Sequence, residues 1–156
     1  MTRRPKSPAR RETRARVSEA SPAYPELSAA RLLLDSRVWV WWSTRDSRLG
    51  AVVRGAIADA HEVCVSAASA WELSIKERLG RLRIGRPVDL AAELARDGFV
   101  ALHISVEHAV AAARLPPIHK DPFDRMLVAQ AKIEGLTLVT ADPAMLRYDV
   151  PLHSAR

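Results

Sequence analysis

The sequence is poor in cysteine and has no long uncharged segment, and each shortage excludes a class of protein. Its 156 residues include one cysteine, Cys64, so neither an internal disulfide nor a cysteine-based structural zinc site can form. Cys64 lies in an apolar run, where a small buried side chain in a reducing cytoplasm is expected. The longest uncharged segments, 63–71 and 98–106, have nine residues each. Since a membrane-spanning helix needs about 20, and no apolar core of a secretory signal follows the N-terminus, we expect a cytoplasmic protein without a membrane span.

Positive charge is concentrated at one end of the chain. The formal net charge of +6 comes from 24 Lys plus Arg against 18 Asp plus Glu, and residues 1–16 hold seven of the cations and one anion. The remainder, with 17 of each sign, is formally neutral. Residues 1–28 also contain four prolines and few large apolar groups, so we expect a disordered basic tail before one domain, 29–156. The tail either attracts RNA through counterion release or is an unselected extension, and the sequence favours neither.

From Arg31 onward, short apolar runs alternate with segments of helical periodicity. Continuous apolar runs are typical of strands buried on both faces of a parallel sheet that helices cover. The alternation predicts an α/β fold. We predict strands at 32–34, 63–65, 99–104, 136–139 and 150–152, and helices at 68–82, 88–96, 107–114 and 121–134. The first of these helices is marked by one apolar stripe at three- and four-residue spacing: Ala68, Trp71, Ile75, Leu79 and Leu82.

Four carboxylates stand near the ends of the predicted strands. In open parallel sheets, ligands bind outside the carboxyl ends of the strands. Asp35 follows the first strand, Glu72 lies early in the helix after the second strand, and Asp142 follows the fourth. Asp124 lies in the first turn of a helix that begins after Asp121, with Pro122 at its first position. We therefore expect these four side chains to converge on one rim, the edge of the sheet formed by the carboxyl ends of its strands.

Each acid also has an ordinary structural explanation. Asp121 and Asp142 each precede a proline and suit N-capping, and Asp124 would favour the dipole of its helix. Glu72 has Lys76 four residues later, and such a pair contributes only about 0.2–0.5 kcal/mol. Asp35 can accept backbone N–H groups at a strand end. Taken singly these explanations are favoured, but four acids together favour a functional site.

A cluster of carboxylates needs a cation. Two like charges about 4 Å apart repel by about 4 kcal/mol at an effective dielectric constant of about 20. Hard oxygen ligands without histidine or cysteine favour Mg²⁺ or Mn²⁺. A divalent ion held by carboxylates can activate water and stabilise the charge of a phosphodiester during displacement. The acidic set therefore points to a metal-dependent nuclease.

Four segments carry a resemblance to a known family. They read LLLDS at 32–36, VSAASAWELSIK at 65–76, HKDPFDRMLVAQA at 119–131 and LVTAD at 138–142. In this order and at these separations they resemble the PIN-domain ribonucleases, specifically the VapC-type toxins of bacterial toxin–antitoxin pairs. The resemblance spans residues 31–152 and leaves the tail uncovered.

The resemblance implies a PIN-like three-layer α/β fold with a central, mostly parallel sheet of four or five strands. It places Asp35, Glu72, Asp124 and Asp142 on the family's acidic positions. Asp35 and Asp124 would ligate Mg²⁺ or Mn²⁺ directly, while Glu72 and Asp142 would bind a second ion, hold water or orient the nucleophile. It further implies an endoribonuclease toxin with an RNA substrate, a VapB-like antitoxin and a homodimer.

The sequence departs from the family at two positions beside the first acid. Ser36 replaces the commoner threonine and keeps a hydroxyl that can support a metal ligand. Arg37 stands where close relatives often carry histidine, so the resemblance assigns it no role in contacting substrate or antitoxin.

Residues around the rim have weaker interpretations. The helical spacing of Val38, Trp41 and Trp42 favours core or dimer packing over stacking on RNA bases. His119 and Lys120 lie beside the rim, where a solvated loop is the default and phosphate contact the alternative. Arg37 and Arg125 would be further local cations.

Two rival functions belong to other classes. A non-catalytic PIN-like module would keep the acids but only hold RNA or recruit a protein partner, and the complete acidic set argues against it. A phosphatase with an aspartyl nucleophile would need Asp-x-Asp after the first strand. Because that position reads Asp35-Ser36-Arg37, the phosphatase is disfavoured.

Overall fold

The strands and helices alternate along the chain much as the sequence predicts. The computed structural model describes residues 30–82 and 89–156. Within these ranges the strands are β1 (Arg31–Leu34), β2 (Glu62–Ser66), β3 (Val100–Leu102), β4 (Thr137–Thr140) and β5 (Leu152–Ser154). The helices are α1 (Ser36–Ser43), α2 (Ala51–Asp59), α3 (Ala67–Arg78), α4 (Leu90–Asp97), α5 (Val106–Arg114) and α6 (Pro122–Glu134), with a short 3₁₀ helix at Met145–Arg147. The predicted tail, 1–28, and Val88, the predicted start of α4, lie outside the described residues.

The five described strands form one parallel sheet in the order β3-β2-β1-β4-β5. Leu33 in the central strand is in register with Cys64 on one side and Leu138 on the other. The predicted α/β class and parallel sheet are confirmed. β3 is shorter than the predicted run 99–104, because an edge strand has a single pairing partner and a largely exposed side. Among the described residues, no helix combines the length and apolar character that a membrane span requires.

Side chains alternate across β1 into two cores, one on each face of the sheet. Leu32 and Leu34 pack with Trp39 and Trp41 on one face. Leu33 packs on the other face against residues of α6 and β4. A sheet between two apolar layers is the predicted three-layer arrangement. Trp39 and Trp41 are both buried, which confirms the core interpretation over base stacking for these rings; Trp42 is half-buried against Phe99, with ring centroids 5.6 Å apart.

The apolar stripe of α3 marks a helix but is not its buried face. Trp71 is 63% exposed and Leu79 is 58% exposed, whereas Ser69, Glu72 and Leu73 face inward. The small side chains near the start of α3 allow it to lie close to α1 and α6. The exposed Trp71 ring meets Phe123 of α6 edge to face, with ring centroids 5.3 Å apart. Close packing of small residues therefore turns a carboxylate, Glu72, toward the interior.

The ends of α6 agree with the sequence prediction in detail. The Asp121 carboxylate accepts a 2.8 Å hydrogen bond from the Phe123 amide, and Pro122 occupies the first helical position. The helix ends at Gly135, which has a φ of 65°, a left-handed conformation that glycine adopts without strain. These two signals place Asp124 in the first turn of α6, with its side chain beside the carboxyl end of the sheet.

Candidate active site

The four predicted acids lie at the carboxyl end of the parallel sheet. Asp35 directly follows β1, and Asp142 lies two residues after β4. Glu72 is on α3, which begins where β2 ends, and Asp124 is in the first turn of α6. The negative charges of Glu72 and Asp35 both act on Asp124. The expected convergence on one rim therefore occurs, although the four acids have different surroundings.

Asp35 is buried and strongly hydrogen-bonded. One carboxylate oxygen accepts a 2.7 Å bond from the Val38 amide and so caps α1. The other accepts from the Thr140 hydroxyl at 2.5 Å and from the Ala141 amide at 3.0 Å. Burial raises the pKa of Asp35, while these hydrogen bonds and the charge of Arg37 oppose the rise. The structural explanation of Asp35 as an acceptor of backbone N–H groups is confirmed, and the oxygen that caps α1 can still accept a further ligand.

Asp124 is the least supported of the four carboxylates. Among the described residues, none donates a hydrogen bond to it. Burial raises its pKa to about 7, and the neighbouring charges of Asp121, Glu72 and Asp35 raise it as well, while His119 lowers it. An ionised Asp124 is therefore partly desolvated and surrounded by other negative charges.

Glu72 is buried, and Lys76 one turn later pairs with it. This is the i,i+4 pair that its ordinary structural explanation predicts. Because Lys76 is half exposed, the ammonium group can swing away and leave the carboxylate for a competing cation. The pair therefore explains Glu72 in the absence of metal without preventing a role in binding one.

Asp142 is held at both oxygens. One accepts a 2.8 Å bond from the Ala144 amide, and the other lies 3.1 Å from Nε2 of His119. The predicted capping role is wrong in detail, because the 3₁₀ helix that follows has Ala144 at its N-cap and no side-chain cap bond. Burial acts to raise the pKa of Asp142, but these hydrogen bonds and the charges of His119 and Arg37 outweigh it and leave the pKa below its ordinary value. Asp142 is therefore ionised and already oriented.

His119 lies beside the rim as predicted, but its position between two of the acids was not predicted. Its Nε2 atom lies 3.3 Å from Asp124 and 3.1 Å from Asp142. One ligand atom from each of these three residues lies within 4.8 Å of the others. Lys120 is exposed, but the expected solvated position is wrong for His119, which is half-buried between the two acids. Its place in the segment HKDPFDR, two residues before the cap of α6, was the available signal.

The cations around the rim differ in what they contact. Arg37 is exposed, and its charge acts on both Asp35 and Asp142, so it remains a local cation of the site. Arg125 was expected in the same role, but its guanidinium group binds the backbone at the end of α5 and in the loop before α6. It donates to the backbone carbonyls of Ala112, Ala113, Leu115, Pro116 and His119. Arg125 is therefore a structural clamp.

The donor set fits a hard divalent cation. Asp124 has a desolvated carboxylate without a hydrogen-bond donor in the described part of the chain, and a second carboxylate lies beside it. Carboxylate oxygens are the ligands that Mg²⁺ and Mn²⁺ prefer. A cation at this position would relieve the repulsion that raises the pKa of Asp124. Asp124 is the residue best placed to hold it, with Asp142 beside it and the charges of Glu72 and Asp35 acting on it.

Comparison with known proteins agrees with this geometry. The sequence matches the PIN domain over residues 32–151. It is 34% identical over 112 residues to ribonuclease VapC22 of Mycobacterium tuberculosis (strain ATCC 25618 / H37Rv), a match covering 71% of this chain and 86% of that protein.

Solved structures share the fold at low identity. A toxin–antitoxin complex from Klebsiella pneumoniae includes a chain with a TM-score of 0.59 and 13% identity, over 80% of this chain and 98% of that one. FitAB bound to the IR36 DNA fragment gives a TM-score of 0.56 and 18% identity, over 80% and 94%. With acids converging at the carboxyl end of a parallel sheet and a match over most of its length, this chain belongs to the PIN domain family.

Proposed function

We propose that this protein is a divalent-metal-dependent endoribonuclease that acts as the toxin of a toxin–antitoxin pair. The observation that carries the proposal is the environment of Asp124, an acid surrounded by other acids, with a pKa raised to about 7. An ionised carboxylate in these surroundings lowers the stability of the fold, and a bound cation would offset that cost. The similarity to a protein named as a ribonuclease supports RNA as the substrate.

In this proposal the four acids and Arg37 have different roles in cleavage. A bound Mg²⁺ or Mn²⁺ would supply Lewis-acid stabilisation of the phosphodiester and activate water. Asp124 and Asp35 would be its direct ligands, and Asp35 already has a fixed orientation from Thr140 and Ala141. Glu72 and Asp142 would orient the attacking water or hold a second ion. Exposed Arg37 would contact a phosphate of the RNA beside the rim.

Cleavage of RNA by the purified full-length chain tests this assignment. We expect cleavage with Mg²⁺ or Mn²⁺, none with EDTA, and none for Asp35→Asn or Asp124→Asn. Asp59→Asn is the matched control, because Asp59 ends α2 away from the rim, and this variant should cleave as the wild type does. Retained metal-dependent cleavage by both site variants would refute the roles of these acids.

The rival module, which only binds RNA or a protein, makes a different prediction. It would bind RNA equally well with EDTA and would not cleave it under any metal condition. The poorly supported Asp124 carboxylate argues against this rival, since a surface that only holds RNA gains nothing from a partly desolvated negative charge.

The proposed partners include an antitoxin and a second copy of the chain. A VapB-like antitoxin would occlude the acidic rim in the cytoplasm, where we place the complex. For the second copy, α5 offers an exposed apolar face that includes Val110 and Val106, which is 82% exposed. Glu107 and Arg114 flank Val110 and Ala111 symmetrically in sequence, and neither has an ion-pair partner among the described residues.

A two-fold axis near the middle of α5 would therefore pair Glu107 of each copy with Arg114 of the other. We expect Val110→Glu to produce a monomer by light scattering after size exclusion. Val52→Glu, at an exposed valine of α2, should leave the mass unchanged. A dimer that survives Val110→Glu would exclude this face.

A further inference from the structure

His119 is held in place from several directions. Its backbone N–H donates to the Tyr148 hydroxyl at 3.0 Å, and its carbonyl accepts from Arg125 at 3.3 Å. Its Nδ1 atom accepts a hydrogen bond from the Asp121 amide at 3.1 Å. Two side chains from other parts of the chain thus fix the backbone of His119, and the Asp121 amide fixes its imidazole ring.

The contact with Asp121 decides which ring nitrogen carries the proton. A backbone amide can only donate, so Nδ1 must offer its lone pair and carry no hydrogen. The ring hydrogen must then be on Nε2, the atom that lies 3.1 Å from Asp142 and 3.3 Å from Asp124. An Nε2 atom that carries a hydrogen donates a hydrogen bond and cannot coordinate a metal ion.

This conclusion differs from what proximity alone suggests. His119, Asp124 and Asp142 are close enough to form a three-residue metal site, with one nitrogen and two oxygen ligands. The hydrogen bond from Asp121 excludes the nitrogen ligand unless the loop rearranges. We propose that His119 is a positioning residue, whose Nε2–H group donates to Asp142 and keeps Asp124 beside it, and that it is not a metal ligand.

On the proposed metal-dependent function, His119 is the group that keeps the two carboxylates of Asp124 and Asp142 together. Asp142 keeps its orientation through Ala144 and His119, and the same N–H group lies beside the poorly supported Asp124. The remaining lone pairs of both carboxylates are then available to a cation. Such supporting hydrogen bonds typically change metal affinity by about 10- to 100-fold.

The first test determines which nitrogen of the His119 imidazole carries the hydrogen. Long-range ¹H–¹⁵N correlation spectra of the metal-free, histidine-labelled full-length chain should show His119 with hydrogen on Nε2 and none on Nδ1. Assignment comes from the signal that disappears in His119→Gln. Hydrogen on Nδ1 would overturn the proposal, and this result is independent of metal binding and catalysis.

The second test uses Mn²⁺ as a probe. Pulsed EPR of the Mn²⁺-loaded wild type should show no directly coordinated imidazole nitrogen. A nitrogen coupling that is lost in His119→Gln would make His119 a ligand and overturn the proposal.

Affinities for Mn²⁺ separate donation from ligation. His119→Ala should bind Mn²⁺ about 10- to 100-fold more weakly. His119→Gln, whose amide N–H can replace Nε2–H, should keep most of the affinity, and loss of affinity in both variants would refute the donor role. His61→Gln, an exposed control before β2, should bind as the wild type does. If the wild type binds no Mn²⁺, the proposed nuclease fails, and the NMR result still decides the role of His119.

Discussion

Replacing Asp124 by asparagine should stabilise the metal-free protein while removing its affinity for metal. The pKa of Asp124 rises from 3.8 to about 7 in the folded chain, first through burial and then through the charges of Asp121, Glu72 and Asp35. A rise of about 3 pKa units corresponds to at most about 4 kcal/mol of folding free energy. Asparagine has a similar shape and cannot ionise, so it avoids this cost.

The expected gain is smaller than this limit. Solvent screening of the 22% exposed carboxylate reduces it. Loss of a negative charge in the first turn of α6 costs a further 0.3–1 kcal/mol, roughly. We therefore expect Asp124→Asn to raise the free energy of unfolding by about 1–3 kcal/mol at alkaline pH.

The sign of the pH dependence follows from the raised pKa. Between the unfolded value of 3.8 and the folded value of about 7, the folded chain holds a proton that the unfolded chain has lost. Wild-type stability therefore falls as the pH rises through this window, and the cost is complete above it. The advantage of Asp124→Asn should be almost absent at about pH 4 and largest above about pH 7.

Urea unfolding followed by circular dichroism, with EDTA present, measures both points. Asp59→Asn, at an exposed residue, should show no such pH-dependent gain. Adding Mg²⁺ should stabilise the wild type by mass action but leave Asp124→Asn unchanged. The reasoning fails if Asp124→Asn is less stable than the wild type at alkaline pH, or if their difference is the same at every pH.

Three further outcomes can be measured on the same material. Cys64 is buried, and burial raises the pKa of its thiol to about 11. Iodoacetamide should therefore modify Cys64 in the folded chain much more slowly than it modifies free cysteine, and urea unfolding should remove the difference. Equal rates for the folded chain and free cysteine would refute this. Arg125→Ala should lower the free energy of unfolding by about 2–4 kcal/mol because five carbonyls lose their donor, and Arg125→Lys should recover little of it. Removing residues 1–28 should leave the circular dichroism spectrum of the body nearly unchanged, and a large loss of helix signal would show that the tail is structural.

Local signals account for the parts of the fold that the sequence predicts well. α6 begins and ends as expected because Asp121, Pro122 and Gly135 act through their own backbone geometry. The central strand is recognisable because Leu32, Leu33 and Leu34 are all apolar, which a strand buried on both faces requires.

Residues whose role depends on packing were harder to predict. The face of α3 that points inward depends on how closely small side chains let it approach α1 and α6, so periodicity selected Trp71 where the structure buries Glu72. The same applies to His119, whose orientation depends on Tyr148, 29 residues away in sequence. The four acids could be located because each lies beside the end of a strand or helix, but their different hydrogen bonding could not.

The Thr140 hydroxyl links two of the acids, Asp35 and Asp142, through hydrogen bonds. It donates to Asp35, 105 residues away, and accepts from the Asp142 amide at 3.0 Å. A displacement of the Asp35 carboxylate would pull on this hydroxyl and, through it, on the turn that carries Asp142. Asp35 and the turn that carries Asp142 are thus expected to move together. A cation that binds at the rim would then find the distance between these two acids already set by the fold.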